Sequence, residues 1–173
     1  MKIGIVSDTH RNRELHLTVL HALQSGGVSK IYHLGDDYKD GELAIEMGME
    51  LVRVPGLYCP EYHDRNIDKV QFDTVHGVNI VMAHDLKDIS ENDRLCNDIL
   101  LTGHTHKSEV VVTNGKLHLN PGHLKSSMDK GRAPSYGLLD IDFGEISARI
   151  LTLQGKTVSA LTLKKGETGL FKV

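Results

Sequence analysis

The sequence predicts an α/β protein, a sandwich of two sheets flanked by helices, and three observations predict it. Residues 2–54 alternate β-branched runs with helical segments in the order β-α-β-α-β, the pattern of a parallel sheet. From residue 69 onward, short apolar runs follow one another across Gly-containing turns, the pattern of a mostly antiparallel sheet. No linker, repeat or low-complexity tract interrupts the chain, so residues 1–173 are expected to form one domain.

The first run, KIGIVS, is of the buried-strand type and stops at Ser7-Asp8-Thr9-His10. A helix is predicted over Arg13 to Ser25, with Val19, Leu20 and Leu23 on one face and Gly26-Gly27 to end it. KIYHLG is the second strand and ends at Gly35-Asp36-Asp37. A short helix from Gly41 to Met47 stops at Gly48, and ELVRV is the third strand. KVQFDTVHGVNIVMAH holds two strands about a His-Gly turn, and ISENDRLCN reads as a short helix before the apolar strand DILLTG. SEVVVTNGKLHLN is a hairpin with Asn114-Gly115 at its turn. SYGLLDID, ISARILTL and TVSALTLK are the remaining strands, separated at Phe143-Gly144 and Gln154-Gly155.

Composition narrows the function classes. An apolar fraction of 39% and a charged fraction of 25% suit a soluble globular protein and not a disordered one. A net charge of -3, no basic stripe and few aromatics argue against a nucleic-acid-binding surface. No stretch is long and apolar enough to span a bilayer and no signal-peptide pattern opens the chain, so no membrane association and a cytoplasmic location are expected. Cys59 and Cys96 do not make a disulfide framework. Eleven histidines against no tryptophan point to imidazole chemistry.

Three motifs share one placement. SDTH follows the first strand, GDD the second and GHTH the late strand DILLTG. In open α/β sheets, ligands gather outside the carboxyl ends of strands. Asp8, His10, Asp36, His104 and His106 are therefore expected at one sheet edge, and His84, ending IVMAH, can join them. Each motif has an ordinary reading alone: Asp8 as a helix cap, GDD as a turn, the GHTH histidines as surface residues. Their conjunction at strand ends favours a metal site. Mixed carboxylate and imidazole donors suit first-row divalent ions. Six such groups exceed one tetrahedral shell and fit two ions, which at a separation of about 3.5–4 Å can clamp a phosphoryl group.

This constellation resembles the calcineurin-like metallophosphoesterases, through SDTH, HLGD, MAHD, LTGHTH and LNPG, across nearly the whole chain. In size and in its NPGH…PSYGLLDID ending it is similar to their small bacterial and archaeal phosphodiesterase branch. The resemblance implies a four-layer α/β/β/α sandwich of two mixed sheets and a dinuclear centre of Mn, Fe, Zn or Ni. Asp8, His10, Asp36 and His106 would hold the first ion. Asp36 would bridge to the second, which would also take His84 and His104. A metal-bridging hydroxide would attack the phosphorus of a small phosphate ester. Two dications, two carboxylates and one hydroxide leave such a site net positive and attractive to that anion. A homodimer is a further expectation from the branch. The rival expectation is a scaffold of the same fold, with weak or no catalysis, acting through protein interaction.

The chain departs from the family in one loop. After the third strand the family carries Gly-Asn-His or a variant, whose Asn binds the second ion. Here the loop is VPGLYCPEYHD: Gly56 fits, but Leu57 stands at the Asn position and cannot ligate. Either Tyr58, Cys59, Glu61 or His63 takes the place in space, or water does, or the second ion is lost. Tyr58, Cys59 and Glu61 are thus candidate substitute ligands or site walls. Cys59 also reads as a small buried hydrophobe. His63 is the candidate acid for the leaving group. His123, Lys125 and Arg132 are candidate substrate contacts. His118, alternating with Leu117 and Leu119, is expected to face outward.

Overall fold

The computed structural model describes residues 1–173. Its strands are β1 (Lys2–Val6), β2 (Lys30–His33), β3 (Glu50–Arg53), β4 (Val70–Val75), β5 (Val78–Ala83), β6 (Ile99–Leu101), β7 (Glu109–Thr113), β8 (Lys116–Asn120), β9 (Ser135–Asp142), β10 (Glu145–Thr152), β11 (Thr157–Gly166) and β12 (Gly169–Lys172). Its α-helices are α1 (Arg13–Ser25), α2 (Glu42–Glu46) and α3 (Glu91–Cys96). Single 3₁₀ turns occupy Tyr38–Gly41, Pro60–His63 and Leu86–Asp88.

The strands form two sheets. One has the order β12-β11-β10-β9-β1-β2-β3 and the other β4-β5-β6-β8-β7. Both are mixed: β1, β2 and β3 run parallel, β9 pairs antiparallel with β1, and β6 runs parallel to both β5 and β8. The second half is therefore less antiparallel than its chain of short strands predicts. The reason is that β6 is followed by the GHTH loop and the hairpin arm β7, so the chain re-enters the sheet beside β6 in the same direction.

Alternation along each strand sorts the side chains into layers. Ile3 and Ile5 of β1, Leu139 and Ile141 of β9, and Ile146, Ala148 and Ile150 of β10 meet Ile80, Met82, Ile99, Leu101, Leu117 and Leu119 of the second sheet in the central core. On the outer face of the first sheet, Val6, Ile31 and Tyr136 pack under Val19, Leu20 and Leu23 of α1 and Leu43 and Ala44 of α2. On the outer face of the second sheet, Val81, Ala83 and Leu100 meet Ile89 beside α3. The result is the four-layer α/β/β/α sandwich. Tyr32 and Asp73 link the two sheets by a 2.7 Å hydrogen bond, with Lys30 paired to the same carboxylate.

The α1 helix starts and stops for local reasons. The Asn12 side chain accepts from the Leu15 N–H at 3.2 Å, and Glu14 complements the positive end of the helix dipole. Its bounds agree with the predicted Arg13 to Ser25. The last strand, β12, has no counterpart among the predicted ones. Only Leu170 of its four residues is buried, so no apolar run announces it. No helix is long and apolar enough to cross a membrane.

Candidate metal centre

The parallel strands β1 and β2 end side by side, and the loops beyond them carry Asp8, His10 and Asp36 to one edge. The loops after β5 and β6 bring His84, His104 and His106 to the same edge, because those strands pair in parallel in the second sheet and end together. The turns there are sharp. Asp8, His10, His104 and His106 all hold left-handed backbone, with φ of 52°, 45°, 67° and 57°. Such clusters in non-glycine residues belong to sites that the surrounding structure over-determines.

Asp8 is fully buried. Its Oδ2 accepts from Ser7 Oγ at 2.6 Å and from the His104 N–H at 3.0 Å, which turns Oδ1 towards His106 Nε2 at 3.1 Å. Asp36 lies between two imidazoles: Oδ2 is 2.7 Å from His10 Nε2 and Oδ1 is 3.0 Å from His84 Nε2. His84 donates from Nδ1 to the Leu34 carbonyl at 2.6 Å, and His106 from Nδ1 to Asp129 Oδ2 at 2.7 Å. Both rings therefore present a bare Nε2 inward. His10 Nε2 and His106 Nε2 are 3.2 Å apart. His104 packs its ring edge-on to His84, with centroids 5.2 Å apart, and its Nε2 lies 3.8 Å from Asp85 Oδ2.

A cation would satisfy these atoms. Asp8 Oδ1, Asp36 Oδ1 and His84 Nε2 are buried and have no hydrogen-bond partner, although each faces another electron-rich atom at about 3 Å. Burial would raise the Asp36 carboxyl, but the His10 and His84 imidazoles outweigh it and hold Asp36 well below the usual carboxylate range. His106 is raised, first by Asp8 and against burial. His84 is raised too, since Asp36 and Asp8 together overcome its burial. The pocket thus favours positive charge at His84 and His106 and an ionised carboxylate at Asp36. One donor atom each from Asp8, His10, Asp36 and His106 lies within 4.8 Å of the others, a set that could hold a divalent ion. His84 and His104 stand on the far side of Asp36, outside that tight set.

The loop VPGLYCPEYHD runs directly beside Asp36. The Gly56 N–H donates to the Asp36 carbonyl at 3.1 Å, and a Cβ on Gly56 would lie 2.6 Å from Asp36 Oδ1, so only glycine fits. Gly103 is equally constrained, since its Cβ would run into the Ser7 hydroxyl and Asp8. Leu57 is half-buried. Cys59 is buried and donates from Sγ to the Gly56 carbonyl at 3.1 Å. Tyr58 is 85% exposed. With His10, Arg11, Asp36, Asp37 and Cys59 it lines a cavity of about 290 Å³ beside the ligand set. Glu61 lines an adjoining hollow. His63 is exposed, its ring edge-on to Tyr62, and it lines neither. A larger hollow, about 430 Å³, lies at the β9–β10 turn on the opposite sheet edge and contains no such cluster.

The remaining predicted residues sit in one stretch, 123–132. His123 is buried with its ring 5.4 Å from that of His106. Lys125 pairs with Asp129 at 3.1 Å, and Arg132 donates to the Thr105 carbonyl at 2.8 Å. His118 takes the outer face of β8, opposite Leu117 and Leu119 in the core, as expected, but it is half-buried there and bonds Thr102 Oγ1 through Nε2 at 2.8 Å. Sequence reasoning missed Asp129 and Asp85. Asp129 lies 23 residues from His106, with no spacing rule to connect them.

The comparisons with known proteins agree with this geometry. The family model for the calcineurin-like phosphoesterase superfamily domain matches residues 1–144. A probable metallophosphoesterase of Mycoplasma pneumoniae is 25% identical over 158 residues, covering 84% of this chain and 93% of that protein. The phosphoesterase YfcE of E. coli superposes with a TM-score of 0.75 at 20% identity, covering 93% of this chain and 98% of its own. Vps29 of Entamoeba histolytica, solved in complex with zinc, superposes with a TM-score of 0.72 at 24% identity, covering 95% and 99%. From SDTH at the end of β1 to the strands of the central core, this chain belongs to the calcineurin-like phosphoesterase superfamily.

Proposed function

We propose that the protein is a metal-dependent phosphoester hydrolase acting on small phosphodiesters. The observation that carries this reading is the set of buried, unpartnered donor atoms on Asp8, Asp36 and His84: Asp8 Oδ1 faces His106 Nε2 at 3.1 Å and Asp36 Oδ1 faces His84 Nε2 at 3.0 Å, contacts that a divalent ion would satisfy. In this reading Asp8, His10, Asp36 and His106 would hold one divalent ion, and His84 and His104, with Asp36, would hold a second. When bound, such an ion pair supplies Lewis acidity, activating a water near neutral pH and offsetting charge on the phosphoryl oxygens. The protein's own part is orientation. The Leu34 carbonyl and Asp129 fix the tautomers of His84 and His106, and Asp8 is set by Ser7 and the His104 N–H.

The substrate would enter the cavity beside Asp36. Arg11 borders it with an exposed guanidinium whose Nε is steered by Asp37 at 3.1 Å, suited to a non-reacting phosphate oxygen. Tyr58 offers an exposed ring to the rest of the ester. His123, Lys125 and Arg132 would act behind the ligands, since each is engaged within the stretch 123–132 or with the GHTH loop. The preference for diesters rests on the likeness of the NPGH…PSYGLLDID ending to the phosphodiesterase branch.

A second reading, a scaffold that binds protein, is favoured by Leu57 at the position of the family's Asn. One experiment separates the two. Protein stripped of metal is assayed on bis(p-nitrophenyl) phosphate before and after Mn²⁺ is restored, beside an Asp36→Ala variant. Turnover that appears with Mn²⁺ and is lost in the variant supports the hydrolase. Equal, metal-independent rates in both leave only the scaffold.

A further inference from the structure

We propose that Asp129 is the positioning carboxylate of His106, and that the segment 123–132 is a strap that tunes one metal position selectively. The proposal rests on the metal-dependent reading above, but its test does not use turnover.

The strap crosses the site from outside. Leu124 donates its N–H to the Asp8 carbonyl at 3.2 Å, and the Lys125 carbonyl accepts from Asn12 Nδ2 at 2.9 Å. The chain then tightens into a turn closed by Asp129 and Arg132, whose backbone N–H groups and carbonyls pair at 3.0 and 2.8 Å. The turn is pinned twice more: Arg132 Nη1 donates to the Thr105 carbonyl at 2.8 Å, and His123 Nε2 donates to the Arg132 carbonyl at 3.0 Å. All this fixes the Asp129 carboxylate. Its Oδ1 takes Lys125 Nζ at 3.1 Å and its Oδ2 takes the His106 Nδ1–H at 2.7 Å.

One carboxylate thus settles three properties of His106. It selects the tautomer with the proton on Nδ1. It sets the ring plane, and so the aim of Nε2 between Asp8 Oδ1 and His10 Nε2. It also makes the ring a stronger electron donor, because a negative partner withdraws the Nδ1 proton's charge. Two of the four members of the tight set, Asp8 and His106, are therefore braced by the same strap. His84 leans on a backbone carbonyl instead, and the nearest carboxylate to His104 Nε2 is Asp85 at 3.8 Å, beyond hydrogen-bond range.

The test uses the full-length protein and Co²⁺ as the probe. Affinity is read by competition with a chelating dye, and coordination by the visible absorption of the bound ion. Asp129→Ala should weaken the tighter Co²⁺ step about 10- to 100-fold and change the absorption bands. Asp129→Asn, which keeps an acceptor oxygen for Nδ1–H, should fall between Ala and wild type. Lys125→Met, which breaks only the ion pair behind Asp129, should bind within about threefold of wild type. Melting of the metal-free proteins reports any general damage to folding.

Unchanged affinity and spectrum in Asp129→Ala overturn the proposal. Equal losses in Asp129→Ala and Lys125→Met also overturn it, since the loss would then follow the ion pair behind Asp129 and not its bond to the His106 ring. Wild type that binds Co²⁺ but hydrolyses no ester overturns the hydrolase reading alone and leaves this one standing.

Discussion

Asp36 faces different company at its two oxygens. Beyond Oδ2 lie His10, His106 and Asp8, packed so that their donor atoms fall within 4.8 Å of one another. Every one of them is steered from behind or from the side, by Ser7, the His104 N–H, Asp129 or Asp36 itself. Beyond Oδ1 lie His84 and His104, with Gly56 pressed close and Leu57 next to it at the position where the resemblance expects a ligand. His84 is well held, but His104 is 36% exposed and loosely accompanied. One half is pre-organised and the other is assembled from fewer fixed parts. Pre-organised ligands lose less freedom on binding, so the two halves should differ in affinity. A chain that braced its ligands evenly from behind would show no such difference.

The strongest way to break the comparison is to remove what both halves share. Asp36→Ala should lower metal-dependent turnover by about 10³-fold or more, measured as initial rate at saturating Mn²⁺. A smaller loss would mean that the halves do not meet at Asp36.

The next effect strikes beneath the firm half. His16 on α1 is fully buried against His33, with ring centroids 5.4 Å apart and neither His16 nitrogen partnered. Burial lowers its pKa from 6.5 to about 4. The unfolded chain therefore takes up this proton before the folded one does. Stability is full above pH 6.5, falls as pH drops towards 4, and changes little more below it. The shift corresponds to about 3 kcal/mol. His16→Leu should flatten the denaturant midpoint between those pH values. A midpoint profile as steep as wild type would place the acid sensitivity elsewhere.

Leu57→Asn sharpens the contrast from the weak side. Restoring an oxygen donor next to Gly56 should tighten the weaker Co²⁺ or Mn²⁺ step about tenfold, worth about 1.4 kcal/mol, and leave the tighter step unchanged. Calorimetric titration reads both steps. The smallest effect is expected at His63. Its ring is exposed, rests on Tyr62 and lies outside the cavity that touches Asp36. His63→Gln should change kcat by less than about threefold on a substrate with a poor leaving group. A loss of about 10²-fold or more would instead make it the leaving-group acid.

Much of this was legible in the residues. The Asn114-Gly115 hairpin, the α1 boundaries and the three motifs at strand ends are local signals, each written in a few adjacent residues. The six metal-edge residues could be gathered without coordinates because strand ends converge by topology. What lay hidden was long-range and side-specific. The parallel pairing of β6 with β5 and β8 depends on where the hairpin returns, which periodicity does not encode. The outward aim expected of His118 held, but its half-burial beside Thr102 was hidden, because alternation gives the face of a strand and not what covers that face. Asp129 escaped notice because a charged residue in a Gly-containing loop reads as solvated until its partner is seen. The loop at Leu57 was legible as a departure, while the reason for glycine before it was not: that reason is the backbone of Asp36 pressed against Gly56.

That contact has a consequence for how the protein could be diversified. Gly56 is a fixed seam, since nothing larger can stand against Asp36. Cys59 and Tyr62 are the rivets of the next turn, one bonded to the Gly56 carbonyl and the other to Asp88 at 2.9 Å. Between and just beyond these fixtures, Tyr58 and His63 are exposed and Leu57 and Glu61 are half-buried, with more room to vary. The loop is therefore a replaceable cassette on a permanent mount. A library confined to those four positions would sample new ester preferences while the catalytic chassis, and its register on the sheet edge, stayed as it is.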